Sequence, residues 1–126
     1  MTAIHLFDLA FRRNEWLGAK QAAIAGNIAN ANTPGFKAQD VEPFSDILNS
    51  TALKLVKTAS MHMLPPAAAF QTTGVRDSAA WATAHSGNSV SLDQELVKSG
   101  EAQRAFSLNS AVVKSFHRIL LSASKG

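Results

Sequence analysis

The chain has no cysteine and no tyrosine, and just 7% of its 126 residues are aromatic. Without cysteine there is no disulfide framework, no thiolate zinc site and no thiol catalysis. The hydrophobic content is nevertheless 46%, which argues against a chain disordered by composition. Those apolar residues are rich in alanine, a composition that favours narrow helix-to-helix contacts over a bulky globular core. At this length one domain is comfortable and two are not.

Charge is also thin. Charged residues make up 17% of the chain, the net charge is +3, and the twelve basic residues are scattered, with Arg12-Arg13 the one adjacent pair. A nucleic-acid interface needs a denser basic patch interleaved with aromatics, so no nucleic-acid partner is expected. No window approaches the roughly 18 uncharged apolar residues of a membrane span. The start, Met1 to Asp8, lacks the basic residues and unbroken apolar run of a cleaved secretory signal. The expectation is a protein that stays in the cytosol or leaves it without a cleaved signal.

Catalytic chemistry is missing as well. The four histidines, His5, His62, His85 and His117, accompany no nucleophile elbow, paired acidic motif or Gly-rich phosphate loop. Met61-His62-Met63 offers soft copper ligands, but one imidazole between two thioethers is a thin set. The chain is expected to be no enzyme and to hold no cofactor, metal or small-molecule substrate.

What is present is helical periodicity at both ends. From Ala3 to Asn30, Leu6, Ala10, Leu17, Ile24 and Ile28 fall on one stripe at 100° per residue, with Ile4, Phe7, Phe11, Ala22, Ala25 and Ala29 beside it. This broad apolar face can touch more than one neighbour. Gly18, Ala22 and Gly26 form a ladder of small side chains, either a solvated edge or a place for another helix to approach closely. From Ser91 to Ser122 a heptad reading places Leu92, Ser99, Phe106, Val113 and Leu120 at one core position and Glu95, Ala102, Asn109, Phe116 and Ala123 at the other. Ser91 and Gln94 fit a capping box, Asp93 and Glu95 suit the positive end of the helix dipole, and Lys114, Arg118 and Lys125 suit its negative end. Leu17, Ile24, Phe106, Val113, Phe116 and Leu120 are the expected packing residues.

Between the helices the signal weakens. Ala22 to Phe36 reads as the last turns of a helix, an Asn-rich exit and a tight turn. Pro34 presets the second turn position, and Gly35 supplies the positive φ that a type II turn needs next. Asn27, Asn30, Asn32 and Thr33 can bond nearby backbone and suit helix ends. Beyond Pro43, a short helix would put Phe44, Ile47, Leu48 and Leu55 on one face, with Leu53-Lys54-Leu55 also permitting a strand. Residues 60–88, broken by Pro65-Pro66 and punctuated by glycine, serine and threonine, read as a loop or linker with Phe70, Val75 and Trp81 as candidate anchors. The expected organisation is a mainly α fold. An N-terminal helix and turn (1–36), a short helix or extended segment (37–59), the irregular middle (60–88) and a C-terminal helix (89–126) follow in order. The two long helices are expected to pair as an antiparallel coiled coil. Such a pair leaves much apolar surface uncovered, the mark of an assembly subunit.

The run Asn27-Ile28-Ala29-Asn30-Ala31-Asn32-Thr33-Pro34-Gly35-Phe36 resembles the N-terminal signature of bacterial flagellar rod, hook and hook-filament axial proteins. Its continuation Lys37-Ala38-Gln39-Asp40, the segment Phe44 to Leu48, and the opening of the C-terminal helix, Asn88 to Glu95, are most similar to proximal members of the flagellar basal-body rod family. The similarity covers about residues 10–48 and 86–122. It implies a subunit of a tubular axial structure whose terminal helices pack in the inner wall. It also implies export through the flagellar type III apparatus without signal cleavage, and residence in the periplasmic rod of the basal body. The implied partners are copies of itself, other rod proteins, a FliE-like adaptor, the membrane ring and the export gate. Asn27, Ile28, Asn30, Thr33, Pro34, Gly35 and Phe36 would then form a subunit-seating turn, a role compatible with plain capping and turn chemistry. Phe44-Ser45-Asp46-Ile47-Leu48 resembles the Phe-x-x-x-apolar pattern read at the export gate, although a buried helix face explains Phe44 and Leu48 equally well.

Overall fold

In the computed structural model, which describes residues 3–51, 72–74 and 80–126, two long helices dominate. α1 spans Ala3–Ala29 and α3 spans Leu92–Ser124, with α2 (Phe44–Thr51) and two short strands, β1 (Gln39–Val41) and β2 (Thr72–Gly74), between them. Leu55, the Leu53-Lys54-Leu55 alternation, Met61-His62-Met63, Pro65-Pro66, Phe70 and Val75 lie outside the described residues.

α1 and α3 lie against one another. On α1 the buried positions Ala10, Leu17 and Ile24 repeat every seventh residue, and on α3 Glu95 and Ala102 are buried with the same step. The contacts climb one helix as they descend the other. Asn27 bonds Glu95, Asn109 bonds the Ala10 carbonyl and Asn14, and the Phe7 and Phe116 rings meet edge to face at 6.4 Å. Of the two heptad positions on α3, the one carrying Glu95, Ala102, Asn109 and Phe116 therefore faces α1. Val113 is half-buried. Phe106 and Leu120, expected in the packing, are 46% and 39% exposed. They belong to the companion heptad position, which turns away from the α1–α3 seam.

Two local readings of the ends are corrected. Ser91 is the N-cap of α3, but its side chain makes no capping bond. Gln94, the partner expected in the capping box, instead accepts from the Trp81 backbone N–H at 3.3 Å. Asp93 and Glu95 stand in the first turn of α3 as expected, and Glu95 is in addition buried within the fold. The last turn of α3 carries no basic residue, and Lys125 is its C-cap, donating its backbone N–H to Ser122.

β1 and β2 form an antiparallel ribbon with Gln39 opposite Gly74 and Val41 opposite Thr72. It had no signature in the sequence, since strands of this length carry too few residues to show an alternating pattern. α2 starts directly after Pro43, whose carbonyl accepts from Asp46 and Ile47. The helix is tied to α1 through Trp16. The Trp16 indole donates to the Glu42 carbonyl at 2.8 Å, and its ring packs on Phe44 at 5.8 Å, with the Arg13 guanidinium over the other ring. No helix among the described residues is long and apolar enough to cross a membrane.

Candidate assembly joint

The Asn-rich exit of α1 is a knot of hydrogen bonds that binds the start of α3. Thr33 to Phe36 form a turn closed by the Phe36 N–H donating to the Thr33 carbonyl at 3.2 Å, and Gly35 has φ +72°. That backbone position is open to glycine and strained for a β-branched residue. A second turn stands against it. Gly87, at φ +83°, donates its N–H to Ala84, while Gly35 donates to the Ser86 carbonyl at 2.9 Å. A Cβ placed on Gly87 would sit 3.7 Å from Gly35 Cα. The two glycines are thus neighbours in space.

Two asparagines fasten the turns from within. Asn27, 1% exposed, accepts the Gln39 N–H at its Oδ1 (2.8 Å) and donates from Nδ2 to the Gln39 carbonyl (2.7 Å) and to Glu95 Oε2 (3.1 Å). One side chain on α1 thereby holds the entry to β1 and the first turns of α3. Asn88, also buried, aims its Nδ2 at the carbonyls of Asn30, Ala31 and Thr33, each within 3.0 Å. It satisfies acceptors that the end of a helix leaves unpaired, and its own Oδ1 accepts the Val90 N–H. Ser89 completes the seam: its N–H donates to Phe36 and its Oγ accepts from Ala38.

Charges line the next layer. Glu95, 1% exposed, receives Lys98 Nζ at 3.3 Å. Lys98 also pairs with Asp40 at 3.2 Å, and Lys20 lies 4.0 Å from the same carboxylate. A buried carboxylate is tolerated only when paired and hydrogen-bonded, and Asn27 with Lys98 meets both needs. Among the described residues no buried side-chain nitrogen or oxygen lacks a partner. No group of three or more His, Cys, Asp or Glu among them is placed to hold a metal ion.

The expected turn residues are thus gathered in one place but divide by burial. Asn27 is enclosed, and Asn30 is partly so, donating to the Gly26 carbonyl and accepting from Thr33 Oγ1. Phe36 is half-buried, whereas Ile28, Thr33, Pro34 and Gly35 face solvent. Phe44 is sheltered by Trp16 and Arg13, and Leu48 is exposed. Sequence reasoning missed Asn88, Ser89 and Asp40 as parts of the joint. A sharper signal lay in Asn88 and Ser89, two polar residues with local-bonding side chains placed just before a helix start.

Comparison with known proteins fits this geometry to a family. Residues 14–37, the second half of α1 and the turn, match the family model described as flagella basal body rod protein. The chain is 42% identical over 130 aligned residues to the flagellar basal body rod protein FlgB of Agrobacterium fabrum, an alignment covering 99% of this chain and 96% of that protein. The chain belongs to the flagellar basal body rod protein family. It is a structural subunit of the flagellar rod, in a family of structural proteins and not of enzymes. The rod protein works with other rod components, so its chemistry is that of surfaces, and the joint holds the two helices that carry those surfaces.

Proposed function

We propose that this rod protein is a proximal rod subunit that joins the membrane ring and export gate, through a FliE-like adaptor, to the rest of the rod. In this reading α1 and α3 form an antiparallel coiled coil that packs with copies of itself and with other rod proteins. The subunit reaches the periplasmic rod through the flagellar export route without a cleaved signal. The supporting observation is the contrast in burial along the helices. The joint is sealed, yet Phe11, Leu96, Leu108 and Ile119 are all more than 60% exposed. Apolar surface left open on this scale suits a subunit that completes its core by assembly.

Ile28, Thr33, Pro34, Gly35 and Phe36 are proposed to seat against a neighbouring subunit. Beside them runs an open groove lined by Ala19, Ala22, Ala23, Gly26 and Phe36, and a Cβ added at Gly18 or Gly26 would meet nothing within 4 Å. Such a small-residue surface leaves room for a neighbour's helix to come close. Phe44 and Leu48 are proposed to be read at the export gate in the unfolded chain, because the fold shelters Phe44 against Trp16.

The test is a deletion strain examined by electron microscopy of basal bodies. Loss of rod, hook and filament with the membrane ring retained is expected. A normal rod lacking only distal structures would contradict the proximal placement.

A further inference from the structure

We propose that the polar side chains inside the seam, Asn109 at one end and the Asn27–Glu95 pair at the other, set the register of α1 against α3. The proposal rests on the helix pairing given above. The apolar contacts alone leave the register open. Ala10, Leu17 and Ile24 repeat every seventh residue on α1, and Ala102 and Phe116 fit the same step on α3. Sliding one helix along the other by a heptad, about 10 Å at 1.5 Å per residue, puts apolar side chains opposite apolar side chains again.

The polar groups break this degeneracy. Asn109 Nδ2 donates to the Ala10 carbonyl at 2.9 Å and to Asn14 Oδ1 at 2.7 Å. A slip of seven residues in one direction moves Asn109 to the level of Phe7, and in the other to that of Leu17 and Gln21. Toward Phe7 the amide meets apolar side chains and loses the Asn14 side-chain acceptor. Glu95 is held as tightly, by Asn27 at 3.1 Å and Lys98 at 3.3 Å, with Asp40 of β1 sharing the lysine. The slip that carries Asn109 to Leu17 separates Asn27 from Glu95 and leaves Asn27 opposite Ala102. The opposite slip also parts the pair but brings Glu95 to Lys20, so that in this direction Asn109 beside Phe7 bears the cost. Polar residues at coiled-coil core positions specify alignment in this way and lower stability in doing so. The native register also brings Asn88 under the end of α1, so the alignment of the helices and the closing of the joint are one event.

The absence of cysteine makes the test clean. Gln21 and Gln103 line one groove across the seam, so Gln21→Cys with Gln103→Cys reports the native register. Gln21→Cys with Leu96→Cys or with Ser110→Cys reports a slip of one heptad in either direction. Each pair is oxidised in the full-length chain at low concentration, and intramolecular products are separated from dimers by gel mobility. With Asn109 present, the 21–103 pair should form at least tenfold faster than the other two. In Asn109→Leu combined with Asn27→Leu, and in the smaller Asn109→Ala combined with Asn27→Ala, a slipped pair should form within threefold of the native one while helicity by circular dichroism is retained. With either asparagine left in place the 21–103 product should stay dominant. Exclusive 21–103 crosslinking in both variants would overturn the proposal. Loss of helicity in both would overturn it too, since the two asparagines would then be needed for folding and not for alignment. Failure of the 21–103 pair in the unaltered background would instead reject the helix pairing on which the proposal rests.

Discussion

At the joint, Asn27, Asn88, Ser89 and Glu95 are buried and every one is bonded, whereas the far half of α3 leaves Leu108, Val112, Ile119 and Leu121 at 42–66% exposure. Polar groups lie inside and apolar groups outside, the reverse of an ordinary single-domain protein. The difference teaches where each region completes its interactions. The joint is finished within one chain, because among the described residues every buried side-chain nitrogen and oxygen finds a partner there. Among the described residues the far half packs mainly against α1, where its pattern asks for several neighbours. Hydrogen bonds with strict geometry hold a shape, while an open apolar face supplies the non-directional attraction that assembly needs.

The comparison breaks most sharply at Asn27. Asn27→Ala leaves both backbone groups of Gln39 and one oxygen of buried Glu95 short of a partner, and each orphaned buried group costs about 1–3 kcal/mol. A loss of about 3 kcal/mol in denaturant unfolding is expected; a change below about 0.5 kcal/mol, the range of a neutral surface substitution, would mean the joint does not hold the fold. Gly35→Val should come next, at about 2 kcal/mol for a β-branched residue forced to positive φ, with rods sparse even where the chain accumulates normally. Intact rods and normal motility in that variant would remove the turn from the account. Phe116→Ala should cost about 2 kcal/mol, under the range for a fully enclosed phenylalanine, because the ring is half-buried against Phe7. The smallest effect on the isolated chain belongs to Ile119→Ser, within about 0.5 kcal/mol. Rod assembly should nevertheless fail in that variant, and full assembly would show that this face is not an interface.

The two long helices were legible because their apolar residues recur over many turns, and the turn at Pro34-Gly35 because both residues restrict backbone angles in a known way. The joint was legible only on its α1 side. Asn88 meets Asn30, and Asn109 meets Ala10, across stretches of chain over which no local pattern can show the pairing. Glu95 was legible both as a heptad core position and as an acid of the first helical turn, and it is both, whereas its partners Asn27 and Lys98 were not. For Phe106 and Leu120 the sequence leaves open which neighbour they pack against. An apolar heptad position looks the same whether it faces its own chain or a neighbour's. β1 and β2 were too short to register as strands.

Hydrogen exchange on the dilute, full-length chain tests the central contrast most directly, because it reads both regions in one sample. The amides of Gly35, Gln39 and Ser89, all bonded within the joint, are expected to be strongly protected. Those of α3 beyond about Phe116 should exchange rapidly until the chain is assembled into rods. Uniform protection along α3 in the isolated chain, or rapid exchange at the joint, would contradict the account.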